Sequence, residues 1–149
     1  MGKKIVASNR KARFNYTILE TYETGIVLTG GEVKSARDGK VELKDGYVKI
    51  ENGEAFLHNV NIASYKFSAG FEKDYSPEKP RKLLLHKREI TKLQNKTSER
   101  GFSLVPLEVY FKDGRLKVEI GVAKGKKIYD KRESIKKREV EREIRRLKG

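Results

Sequence analysis

A pair of alternating runs late in the chain constrains the fold most. Leu107, Val109 and Phe111 alternate with Glu108 and Tyr110 within 104–111. Leu116, Val118, Ile120 and Val122 alternate with Lys117 and Glu119 within 115–122. A period of two puts each apolar set on one face of a strand. Between the runs stands Asp113-Gly114, a dipeptide suited to the two-residue turn whose central residues both need positive φ. An antiparallel hairpin is predicted. Pro106 offers the ladder no N–H, so it predicts an edge position or a bulge on the first strand.

Asp45-Gly46 and Asn52-Gly53 carry the same kind of turn signal, and between them Val48 and Ile50 alternate with Tyr47, Lys49 and Glu51. A further strand starts at Ala55-Phe56-Leu57, so this region reads as an antiparallel meander. Tyr16–Tyr22 reads as a strand continuing past Gly25, with Ile26, Val27 and Leu28 as a buried run. Leu83-Leu84-Leu85 reads as a short buried strand. Gly30-Gly31 predicts a sharp turn or a close approach to a partner, Glu32–Arg37 a short helix, and Gly39 its end. His86–Glu99 predicts a longer helix with Ile90 and Leu93 inward and Gly101 as its stop. Pro77 and Pro80 mark 64–82 as a loop, pinned to the core by Tyr65, Phe67, Phe71 and Tyr75. Residues 1–15 read equally as a frayed basic arm or as a short basic helix touching phosphate.

The chain has 149 residues, 36% of them hydrophobic, enough for one core with a tail. The division falls at 1–123, a barrel-like domain, and 124–149, a basic tail. Net charge is +14, which favours an anionic partner, nucleic acid first and acidic membrane second. Residues 124–149 hold 12 basic and 5 acidic residues, half of that net charge. Glu133/Lys137 and Glu141/Arg145 have helical spacing, but the apolar stripe is too thin to offset ordering the backbone, so the tail is expected to be mobile alone and helical on a partner. Cysteine is absent, and His58 and His86 lack metal-ligand spacing, so neither cofactor, metal nor catalysis is expected. Neither a secretory signal nor a run of membrane-spanning length is present, which predicts a cytoplasmic protein. Gly121–Lys127 lacks the spacing of a phosphate-binding loop.

The cations suited to phosphate are Arg10, Lys11, Lys34, Arg37, Lys124 and Lys126, with Gly125-Lys126-Lys127 as a phosphate-contacting corner. Glu32 has two readings. It places a negative charge at a helix start, or it accepts hydrogen bonds from a base edge or a 2′-hydroxyl. Tyr129 offers a ring for stacking on RNA.

Several stretches go further. NRKARFNY at 9–16, ETYETGIVLTGGEVKSARDGKVELKDGYV at 20–48, NGEAFL at 52–57, RKLLLHKREI at 81–90, LVPLEVYFKDGRLKVEIGVAKGKKIYDKR at 104–132 and IKKRE at 135–139 closely resemble the SmpB family, the bacterial tmRNA-binding (SsrA-binding) proteins of trans-translation. The resemblance runs in order over nearly the whole chain. The family usually has Thr, Ser or Trp where Gly31 stands, Leu where Ala36 stands, and an Asn-His-Asp-Pro-like run where this chain has Lys73–Pro77.

The resemblance implies a mainly β fold, an OB-like antiparallel β-barrel with flanking helices and a basic tail. It implies binding to the tRNA-like domain of tmRNA through Asn9, Arg10, Lys11, Arg13, Glu32, Lys34, Arg37, Lys124, Lys126 and Lys127, and it tips Glu32 toward the RNA-accepting role. It implies delivery of alanyl-tmRNA with elongation factor Tu to stalled ribosomes. The tail, through Tyr129, Asp130, Lys131, Arg132, Ile135, Lys136 and Arg138, would fill the vacant mRNA path and the 16S rRNA decoding region. The alternative is a structural ribosomal or other rRNA-binding protein with an OB-like core. An RNA-acting enzyme would need clustered acids or a paired histidine.

Overall fold

The predicted hairpin forms the second and third strands of a seven-stranded antiparallel sheet in a computed structural model that describes residues 2–65, 75–126 and 142. In chain order the elements are β1 (Lys3–Ser8), α1 (Arg10–Asn15), β2 (Tyr16–Ile26), α2 (Gly30–Arg37), β3 (Val41–Glu42), β4 (Tyr47–Glu51), β5 (Glu54–His58), β6 (Asn61–Ile62), β7 (Arg81–Leu84), α3 (Lys87–Arg100), β8 (Ser103–Lys112) and β9 (Arg115–Gly125). Seven strands make one sheet in the order β1-β8-β9-β2-β7-β5-β4, and β3 pairs with β6 apart from it. The fold is mainly antiparallel sheet with flanking helices. Among the described residues no ladder joins β1 to β4, so the hydrogen-bonded sheet is not a closed barrel. β4 packs against β8 without pairing to it.

Asp113 and Gly114 take φ of 52° and 75° and close the β8–β9 hairpin between Lys112 and Arg115. Asn52-Gly53 closes β4–β5 in the same way. Pro106 stands at the predicted bulge. It lies opposite Ile120 and Glu108 opposite Glu119, which leaves Leu107 as the extra residue. Leu107 is fully buried and packs with Ala12, Val105 and Ala123 in a small cluster beneath α1. The main cluster includes Val48, Leu57, Leu83, Leu93, Val109, Val118 and Ile120. Covered by different neighbours on its two faces, β8 is buried from Leu104 through Leu107, and strict alternation is lost there.

Other stretches depart from the sequence reading. The basic start of the chain is neither an arm nor a helix alone: β1 is an edge strand on β8, and α1 follows it. Asp45-Gly46 does not close a hairpin. Gly46 N–H donates to Leu43 O at 2.9 Å, and this turn hands the chain from β3 to β4, which pair with β6 and β5. The run Ile26-Val27-Leu28 is not a buried strand, because β2 stops at Ile26 and Val27 is 53% exposed. Gly30-Gly31 does not turn the chain; it opens α2, which Thr29 caps. In β7 only every second residue faces inward, so Leu83 is buried and Leu84 exposed. The α3 reading agrees: Ile90 and Leu93 are buried, and Gly101 ends the helix with φ of 67°. Strand β9 runs on past Val122, so Lys124 and Gly125 pair with Thr17 and Tyr16.

Candidate nucleic-acid interface

Asn9 sets the position of α1. Its Oδ1 accepts the Ala12 N–H at 3.0 Å, which caps the helix. Its Nδ2 donates to Pro106 O at 2.9 Å and to Leu43 O at 3.2 Å. One buried amide therefore ties α1, the Leu43–Gly46 turn and β8 together. Asn9 is 3% exposed, and its side-chain amide is spent on these bonds inside the protein.

Ala12 is the buried side of α1, and Arg10, Lys11 and Arg13 are exposed. Lys11 pairs with Asp45 at 2.9 Å, and Arg13 reaches Glu119 at 3.6 Å. Exposed pairs of this kind are weak and exchange readily for a phosphate. Arg10 has no carboxylate partner among the described residues. The end of β9 returns to the same place: Lys126 N–H donates to Asn15 O at 3.0 Å, and exposed Lys124 stands opposite Thr17. Arg10, Lys11, Lys124 and Lys126 thus gather along α1, a helix only about 9 Å long.

Helix α2 presents the second group. Thr29 Oγ1 accepts the Glu32 N–H at 3.2 Å, and the Glu32 carboxylate accepts the Thr29 N–H at 2.9 Å, a reciprocal cap. Ser35 and Ala36 face inward, which turns Lys34 and Arg37 out. Lys34 Nζ lies 5.4 Å above the Tyr65 ring and the Arg37 guanidinium 5.6 Å from that of Phe111. Phe111 pairs with Lys4 near the start of β1, whereas α1 follows its end. The two basic groups therefore lie toward opposite ends of β1.

Glu32 is 2% exposed. Its Oε2 accepts from Arg81 Nε at 2.5 Å, and Lys79 Nζ stands 3.5 Å from its Oε1. Arg81 is equally buried, donating also to Val60 O at 2.8 Å, Pro77 O at 2.9 Å and the Tyr75 hydroxyl at 3.0 Å. Burial pushes the Glu32 carboxyl up, but the Thr29 N–H and the Arg81 guanidinium outweigh it and hold the group below its ordinary value. Both Glu32 carboxylate oxygens are engaged inside the protein, one of them in the helix-start cap. The sequence signal for this was Thr29-x-x-Glu32 itself. Arg81 gave no local signal, since its partner lies 49 positions away.

Lys127, Tyr129, Asp130, Lys131, Arg132, Ile135, Lys136 and Arg138 lie outside the described residues, as do Phe67 and Phe71. Tyr75 does pin the end of its loop, donating to Ile62 O at 2.7 Å. Among the described residues no grouping of His, Asp and Glu could hold a metal ion, and no helix is long and apolar enough to cross a membrane.

The family model described as SmpB protein matches residues 6–149. The SsrA-binding protein of Desulforudis audaxviator is 57% identical over 97% of this chain and 93% of its own length. That of Persephonella marina is 54% identical over the same shares, and that of Geobacillus kaustophilus 55% identical over 96% and 91%. A chain from a solved structure of tmRNA–SmpB and the bacterial ribosome is 47% identical, with a TM-score of 0.67 over 82% of this chain and 85% of that one.

Proposed function

This chain belongs to the SmpB family, and from that premise we propose how its surface serves as a tmRNA-binding adaptor of ribosome rescue by trans-translation. Its partners are tmRNA and the ribosome. The observation that carries the reading is the placement of cations. Arg10, Lys34, Arg37 and Lys124 are exposed on α1, α2 and the end of β9, with no carboxylate partner among the described residues. Cations of this kind suit phosphates and fix orientation without reading sequence. Two groups set toward opposite ends of β1 can engage a folded RNA at two places and so fix its orientation, which a single patch cannot.

In this reading α1, α2 and the end of β9 hold the tRNA-like domain. The basic tail, which leaves beside α1, enters the decoding region and vacant mRNA path. Elongation factor Tu joins through the alanyl-tmRNA the two share. Such work needs no bond chemistry; it needs rigid placement of charge, which the Asn9 and Glu32 networks supply. The test is the RNA that co-purifies with the protein from its own cells. Enrichment of tmRNA over bulk RNA is expected. Stoichiometric rRNA from all ribosomes, without tmRNA enrichment, would instead support a structural ribosomal protein.

A further inference from the structure

Beside α1 lies a groove of about 260 Å³, walled by α1, the Leu43–Gly46 turn and the starts of β4 and β8. It is the size of a fragment rather than of a drug-sized ligand. Its lining includes Lys11, Asn15, Tyr16, Lys44, Tyr47 and Ser103. Tyr47 is 41% exposed, an unusual position for a large ring. One side of that ring is already covered. Tyr47 and His58 face each other across β4 and β5, with centroids 5.1 Å apart and planes 6° from parallel.

The walls are fixed. Asn9 bonds both the turn and β8. Gly46 sits so close to the core that a Cβ there would fall 2.7 Å from Val60 and 2.9 Å from Pro106. Tyr47 follows immediately and inherits that position. The result is a rigid, backed aromatic plate at a groove whose rim carries Lys11 and Lys44. The Asp45 carboxylate also stands at the mouth, paired with Lys11. A carboxylate there opposes a phosphate inside the groove but can accept from the amino group of a base.

We propose that this groove takes one unstacked nucleobase of a bound RNA, stacked on Tyr47, with its flanking phosphates on Lys44 and Lys11 at the rim. The proposal rests on the RNA-adaptor reading and adds a base site to it. The base can come from the tRNA-like domain of tmRNA or from rRNA, and the two sources are separable.

The protein contains no tryptophan, so a full-length Tyr47→Trp variant carries one indole, at the site in question. Its fluorescence is titrated with a transcript of the tRNA-like domain and, separately, with purified small ribosomal subunits, while binding is followed independently by gel shift or sedimentation. Quenching that saturates with binding is expected from one of the two, and whichever quenches is the source. Tyr47→Ala should bind that same RNA about 5- to 150-fold more weakly with an unchanged salt slope, because no phosphate contact is lost. Tyr47→Phe should bind like the wild type. If both RNAs bind and neither quenches the indole, the groove proposal is overturned while the adaptor reading survives. If the wild type binds neither RNA, the adaptor reading falls and the groove proposal with it. Should Tyr47→Ala fail to fold, the indole signal still decides.

Discussion

Glu32 and Arg81 are each 2% exposed, so removing either charge strands the other in the interior. Glu32→Gln keeps the shape and most acceptor geometry but leaves the guanidinium uncompensated. A loss of roughly 3–5 kcal/mol is expected, read as a lower urea midpoint. The same carboxylate makes stability depend on pH with a definite sign. Its folded pKa lies below its ordinary value of 4.5. Its contribution is therefore complete above 4.5 and is lost as pH falls through the folded value. The wild-type midpoint should fall more steeply than that of Glu32→Gln as the pH drops below this point; parallel curves would show that the carboxylate is not stabilised by its partners. At this scale the sequence was half legible. Thr29 and Glu32 stand three apart, and their reciprocal cap could be read directly. Arg81 and Asn9 owe their roles to carbonyls and carboxylates far away in the chain, and a lone Arg after Pro80 or an Asn among basic residues carries no local mark of that.

At the scale of elements, α2 turns Lys34 and Arg37 outward because Ser35 and Ala36 are buried on its other side. Lys34→Ala and Arg37→Ala should each weaken tmRNA binding and lower the salt slope by about one per lost phosphate contact. Affinity measured at several salt concentrations checks this, and an unchanged slope in both variants would remove α2 from the binding face. Asn9→Ala should act differently. It loses the cap of α1, about 0.5–2 kcal/mol, and removes the Asn9 donor from Pro106 O and from Leu43 O, the latter keeping the Gly46 N–H. Thermal unfolding should reveal a lower Tm. Elements with local causes were legible: the Asn52-Gly53 and Asp113-Gly114 hairpins follow from two residues each, and α3 from its period and Gly101. Strand β1 was not, because Lys3 and Lys4 look like an arm and only pairing with β8, about a hundred positions on, makes them a strand. Gly30-Gly31 misled for a related reason. Glycine permits a turn but does not require one, and the cap three residues on decided for helix.

Across the whole molecule, adaptor function predicts that RNA binding and ribosome rescue reside in separable segments. The sheet ends with β9 at Gly125, and every buried residue identified in the two core clusters precedes it. A chain cut after Lys127 keeps that sheet, α1, α2 and all the cations placed on them, and loses Tyr129, Asp130, Lys131 and Arg132. The most direct test measures two things on this truncated protein beside the full chain: affinity for tmRNA, and peptide tagging on stalled ribosomes. The account predicts tmRNA affinity near that of the full chain together with loss of tagging. Tagging at the full rate, or loss of tmRNA affinity from a protein that still unfolds cooperatively, would contradict it.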